Sequence, residues 1–148
     1  MYFVDRGHIE QTLLYMKGLI ETYEHQPSES FLEKLGTERL AQMVIESIID
    51  VGNMMIDGFI MRDPGSYEDI IDILVDEEVI PKEDEAAYKE TIGLRKMLVR
   101  EYTNVNHQQI DEVLSKNVKT LENFRPYVLD YLEKEMGPVT TFKKREES

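Results

Sequence analysis

The residues best suited to chemistry lie together in Gly93-Leu94-Arg95-Lys96-Met97-Leu98-Val99-Arg100-Glu101-Tyr102. A guanidinium is a planar fork that stays charged and meets phosphate oxygens two at a time. Arg95 and Tyr102 are seven residues apart. On a helix of ~3.6 residues per turn they share one face, while Met97 and Leu98 fall near Leu94 on the side to be buried. Arg100 adds a second guanidinium and Lys96 an ammonium. Such a helix can grip a phosphate, although the same pattern also describes a bundle helix with arginines snorkelling over an apolar seam.

Other chemistry has fewer residues to draw on. His8, His25 and His107 are the only histidines and there is no cysteine, which removes thiolate nucleophiles, thiolate metal sites and a disulfide scaffold. Di-iron bundles use paired Glu-x-x-His motifs; Asp5-x-x-His8 is the nearest approach and occurs once. No calcium loop or glycine-rich phosphate loop is present. No metal or cofactor is expected. Helical nucleotide pyrophosphohydrolases pair acidic residues three apart on neighbouring helices; Glu21-x-x-Glu24 fits, but Glu46 and Asp50 are four apart. Asp50 lies in an apolar stretch. It either faces solvent or needs a buried partner, because an unpaired interior carboxylate is costly.

The elements that must position these groups read as helices. Ile9, Leu13, Met16, Ile20 and Tyr23 make one stripe over residues 2–24, which Gln26-Pro27-Ser28 breaks. A short turn over 28–35 is expected to stop at Gly36, with Thr37 capping a long helix to Met61 seamed by Leu40, Val44, Ile48, Val51 and Met55. Ser66 and Asp69 suggest a capping box for a helix through Asp76, with Tyr67, Ile70, Ile71 and Leu74 as its apolar face. A fourth helix, Lys82 to Tyr102, carries the phosphate-gripping stretch. Asn106 caps a last one of about thirty residues, interrupted by Asn117 and kinked at Pro126, and Gly137-Pro138 ends it. With no convincing strand, repeat or linker, the expectation is an all-α antiparallel bundle of four to five helices over residues 1–137, with a polar tail over 138–148.

Composition narrows the partners. Seventeen basic against thirty acidic residues give a net charge of −13, so the overall field repels nucleic acid and no DNA partner is expected. RNA contact would rest on the local patch of Arg95, Lys96 and Arg100, with His107 nearby. No apolar run reaches the ~20 residues that span a bilayer, and residues 1–6 lack signal-peptide character; no membrane partner and a cytoplasmic location are expected.

The stretch from Gly93 to Tyr102, followed by Val105 and Ile110, resembles the signature of the HepT-like family of HEPN-domain toxins, whose genes lie beside a nucleotidyltransferase-type antitoxin. The family pattern is Arg, usually Asn, two residues, Val, His, one residue, Tyr. Arg95, Val99 and Tyr102 match; Lys96 replaces Asn and Arg100 replaces His. Glu38-Arg39-Leu40 and Ile49-Asp50-Val51-Gly52-Asn53 also resemble the family, so the likeness covers most of the chain.

The resemblance implies a HEPN-like fold and a metal-independent endoribonuclease, with Arg95, Arg100 and Tyr102 at its centre and Lys96 and Asp50 in support. It also implies a homodimer with motif helices facing across a cleft, adenylylation of Tyr102 by the partner enzyme, and RNA as substrate. Arg100 cannot act as a base, since its pKa exceeds ~12; weak or absent cleavage is expected unless His107 substitutes. Arg100 and His107 fit the looser HEPN spacing of Arg, four to six residues, His. Two further readings remain: a catalytically silent module that docks the nucleotidyltransferase, and the acidic pyrophosphohydrolase.

Overall fold

The computed structural model describes residues 4–25 and 29–137. The expected start of the first helix at residue 2, the break at Gln26–Ser28 and the tail over 138–148 lie outside them. Seven α-helices follow in order: α1 (Arg6–His25), α2 (Phe31–Gly58), α3 (Tyr67–Asp76), α4 (Glu85–Ile92), α5 (Arg95–Val99), α6 (His107–Glu122) and α7 (Phe124–Met136). Short 3-10 turns occupy Lys82–Asp84 and Tyr102–Asn104. Counting α4–α5 and α6–α7 each as one broken rod, this is an all-α bundle of five rods, with no strand among the described residues.

The seams read from the sequence are the core. Ile9, Leu13 and Met16 of α1 meet Val44, Ile48, Val51 and Met55 of α2, and all are buried. α1 runs along α2, α3 packs on α2 and α4, α4 lies on α6, and α5 and α6 rest against α2. Each buried aliphatic side chain contributes ~1.5–3 kcal/mol, against at most ~1 kcal/mol for an exposed ion pair. The apolar stripes, not the abundant charges, therefore determine the packing. At Gly52 a Cβ would come within 2.4 Å of Ile70 Cγ2, so this glycine lets α3 sit close on α2.

Four boundaries differ from expectation. Gly36 does not stop a helix: Ser30 and Glu33 form a reciprocal capping box that starts α2 at Phe31. Thr37 therefore lies inside α2, its hydroxyl donating back to the Glu33 carbonyl at 3.1 Å rather than capping. Ser66 does cap α3, accepting the Asp69 N–H at 3.1 Å. The Asp69 carboxylate does not return to complete a box; it accepts two bonds from Arg62 at 2.7 and 2.8 Å and one from the Gly65 N–H. The last helix divides at Asn123. Pro126 has no N–H for the Glu122 carbonyl, and its ring disfavours helix one turn earlier, so the break precedes the proline. Gly137, at φ 76°, closes α7 as expected. The fourth boundary is the division of the Lys82–Tyr102 helix.

Asn117 is buried in the α6 seam and earns its place by donating to Glu90 of α4 at 2.7 Å. Beside it the phenol of Tyr88, fully buried against Phe124, donates to the Thr120 carbonyl at 2.7 Å. Burial pushes that phenol far above its ordinary range. These two bonds lock α4 to α6 just ahead of the motif.

Candidate functional site

The expected helix from Lys82 to Tyr102 is in fact four pieces: a 3-10 turn over Lys82–Asp84, then α4, α5 and the start of a second 3-10 turn. Thr91 donates its hydroxyl back to the Ala87 carbonyl at 2.8 Å, and the Leu94 N–H bonds Thr91 across a tight i→i+3 turn at 3.1 Å. α4 therefore ends at Ile92 and α5 restarts at Arg95. Leu94 and Leu98, both buried, fasten α5 to the core. α5 ends at Val99, and Tyr102 begins a 3-10 turn. Arg95 and Tyr102 thus do not share the face of one helix, which corrects the expectation drawn from their spacing.

Arg95 is firmly seated. Its Nε donates to Glu46 Oε1 at 2.7 Å, and its Cζ lies 4.5 Å above the centre of the Tyr67 ring. The side chain is 24% exposed. The bond to Glu46, and then its charge, raise the arginine's pKa further. Because Nε makes that bond, Nη1 and Nη2 keep their donors for another acceptor. Cation–π contact and ion pair together fix one rotamer of a side chain that otherwise has ~2 kcal/mol of rotamer entropy to lose.

The remaining motif residues are presented differently. Arg100 is exposed, Tyr102 is 67% exposed, and Lys96 approaches Glu101 at 3.8 Å on the surface. His107, the first residue of α6, bonds Glu38 of α2 through Nε2 at 2.7 Å. Asn106 caps α6 as expected, its side chain accepting the Gln109 N–H at 3.1 Å, while its own N–H donates to Met97 Sδ at 3.3 Å.

Asp50 is exposed, one turn beyond Glu46 on α2. Partial desolvation by its neighbours, and then the Glu46 charge, push its carboxyl above the ordinary range, while His8 opposes the shift. Asp5-x-x-His8 is a helix cap: Asp5 Oδ1 accepts the His8 N–H at 3.0 Å. The acidic pairs of the pyrophosphohydrolase reading are engaged elsewhere, Glu46 with Arg95 and Glu24 with Glu122, whose carboxyl is raised by that shared hydrogen bond. Among the described residues no three His, Asp or Glu side chains form a metal-binding group.

Glu46, Tyr67 and Glu38 are the residues that spacing alone missed. One signal was present for Glu46: a lone charge inside Met43-Val44-Ile45-Glu46-Ser47-Ile48-Ile49, an otherwise largely apolar run. Tyr67 read as core but lies at the surface, 44% exposed, beneath the guanidinium.

Residues 9–128 match the profile of the Ribonuclease HepT-like family. The chain belongs to the HepT-like family. It is 42% identical over 144 residues, 97% of this chain and 100% of the relative, to YutE of Bacillus subtilis (strain 168), a candidate RNase by its name. A solved structure of YutE, described as a cytosolic protein of unknown function, superposes with a TM-score of 0.92 at 41% identity, covering 94% of this chain and 98% of that one.

Two more distant structures share the HepT-like fold. One is a tri-AMPylated HEPN toxin of Shewanella oneidensis in complex with MNT antitoxin (TM-score 0.70, 19% identity, 83% and 95% covered). The other is a toxin–antitoxin with AMP-PNP (TM-score 0.67, 18% identity, 82% and 95% covered). In this HepT-like chain, then, Arg95 has a built seat and Arg100 stands exposed. No helix among the described residues is long and apolar enough to cross a membrane.

Proposed function

We propose that this chain is the toxin component of a toxin–antitoxin pair and acts on RNA as a metal-independent endoribonuclease with an altered catalytic pair. The observation that carries this reading is the seating of Arg95 between Glu46 and Tyr67, which leaves its terminal nitrogens free for a phosphate. RNA brings its own nucleophile, the 2′-OH, so the protein has to orient the phosphate, stabilise its developing charge and move protons. Arg95 serves the first two roles. Arg100 adds charge but accepts no proton near neutral pH, so cleavage is slow. Lys96 and Asp50 take supporting roles in this reading, and a homodimer would bring two such segments to one cleft.

A nucleotidyltransferase-type antitoxin is the partner this reading requires, in line with the complex formed by the Shewanella oneidensis toxin. Tyr102 is exposed enough to receive a nucleotidyl group, and the added negative charge would lie where an RNA phosphate must approach. A cytoplasmic location follows from the substrate. The second reading, a silent module that binds antitoxin or RNA without cutting, is favoured by Arg100, an arginine where the resemblance calls for histidine.

The experiment is cleavage of a labelled oligoribonucleotide, with and without chelator, by the wild type and Arg95→Ala. Chelator-resistant cleavage lost in the variant supports the ribonuclease. RNA binding without cleavage supports the module, and neither activity removes the ribonuclease and leaves the module only its docking to antitoxin. Mass spectrometry of Tyr102 after co-expression with the partner enzyme tests the modification.

A further inference from the structure

Helix α2 holds the motif segment at both ends. Glu46 bonds Arg95 and Glu38 bonds His107, each at 2.7 Å. The two carboxylates are eight residues apart, so the two pairs lie ~12 Å apart along α2. A third tie joins α5 to the start of α6, from the Asn106 N–H to Met97 Sδ at 3.3 Å. Between these ties Arg100, Glu101, Tyr102, Thr103 and Asn104 are all exposed.

The latch also argues against one assignment for His107. A phosphate gripped by Arg95 lies ~3 Å from its nitrogens, and a proton-transfer group must come within ~3 Å of the reacting oxygen. His107 instead places Nε2 on Glu38, about two turns of α2 away from the Glu46–Arg95 pair. Its ring donates to a carboxylate that is only 18% exposed, in a pair where both partners are held.

We infer that Glu38 is a positioning residue: acting through His107, it fixes the far end of the exposed segment, so that Arg100 and Tyr102 are presented in register with the seated Arg95. This deepens the RNA reading and rests on it for its purpose, but the latch itself is readable without RNA. The segment has little else to order it. Between Tyr102 and His107 only Val105 is partly buried, and the backbone bonds, from the Arg100 and Glu101 N–H groups to the Lys96 carbonyl and from the Asn104 N–H to Glu101, all lie on the near side of Val105.

The test uses the full chain and four variants: Glu38→Ala, His107→Ala, the double variant, and His107→Gln. Glutamine keeps a donor for Glu38 but moves no proton. Amide exchange at Asn104 and Asn106 should quicken about tenfold or more in Glu38→Ala and His107→Ala, no further in the double variant, and stay near wild type in His107→Gln. Affinity for a short single-stranded RNA should follow the same order.

Unchanged exchange in Glu38→Ala overturns the inference. So does quickened exchange with unaltered affinity in a protein that binds RNA. Loss of cleavage in His107→Gln with normal exchange also overturns it, because His107 would then be a proton donor. If the wild type binds no RNA, the proposed function fails, while the exchange pattern still tests the latch.

Discussion

Arg95 and Arg100 are the same residue type five positions apart, and the fold treats them in opposite ways. Arg95 has an acidic partner, an aromatic bed and a buried leucine on its N-terminal side. Arg100 stands exposed just past the last turn of a five-residue helix. The first is preorganised, so binding a phosphate costs little further ordering; the second must be ordered by whatever it meets. Charge alone does not make a site in a chain of net charge −13. A cation becomes useful when neighbouring groups fix where its free donors point.

The contrast can be broken most sharply at the exposed end. Arg100→His supplies a group able to carry a proton near neutral pH, and on the proposed function RNA cleavage should rise by ~10²–10⁴-fold. No gain in a labelled-oligonucleotide assay would mean that this position is not the acid–base site. At the seated end, Gly52→Ala forces a methyl against Ile70 and should destabilise the fold by ~1–3 kcal/mol in chemical denaturation. Because it shifts α3, it should also disturb Tyr67 and weaken RNA binding.

Glu46→Gln keeps the shape of the seat and removes its charge; affinity for RNA should fall roughly tenfold, with Arg100 unaffected. At the α2–α3 corner, Ile60 is a β-branched residue at φ 56° and is 71% exposed. Ile60→Gly should raise stability by ~1 kcal/mol, read by thermal melting, because the left-handed conformation is costly for isoleucine and little packing is lost.

The smallest effect concerns pH. The Arg62 guanidinium, and then the Gly65 N–H, hold the Asp69 carboxyl well below the usual carboxylate range. A carboxyl depressed on folding adds stability that is present above its unfolded value of ~3.9 and is lost as pH falls from there toward the folded value. Melting temperatures of the wild type and Asp69→Asn should therefore differ slightly at neutral pH and converge in strong acid.

Much of the bundle was legible because helical seams obey one period. Ile9, Leu13, Met16 and Ile20 are buried as their spacing requires, and Asn106 and Ser66 cap where they were expected. The division at Gly93–Leu94 was not legible, and the break expected at Pro126 falls three residues earlier, at Asn123. They depend on local i→i+3 bonding and on where a proline ring falls, which periodicity does not register. The candidate site was half legible. The motif residues stand out by type, but their partners Glu38, Glu46 and Tyr67 come from remote positions and meet them only through the packing of α2, α3 and α5.

The central claim is that the seated Arg95 grips an RNA phosphate. Titration of a short single-stranded RNA against the wild type and Arg95→Gln, at several salt concentrations, tests it directly. The account predicts at least tenfold weaker binding by the variant and a salt dependence shallower by about one phosphate contact. Equal affinity and an equal salt slope in the two proteins would contradict it.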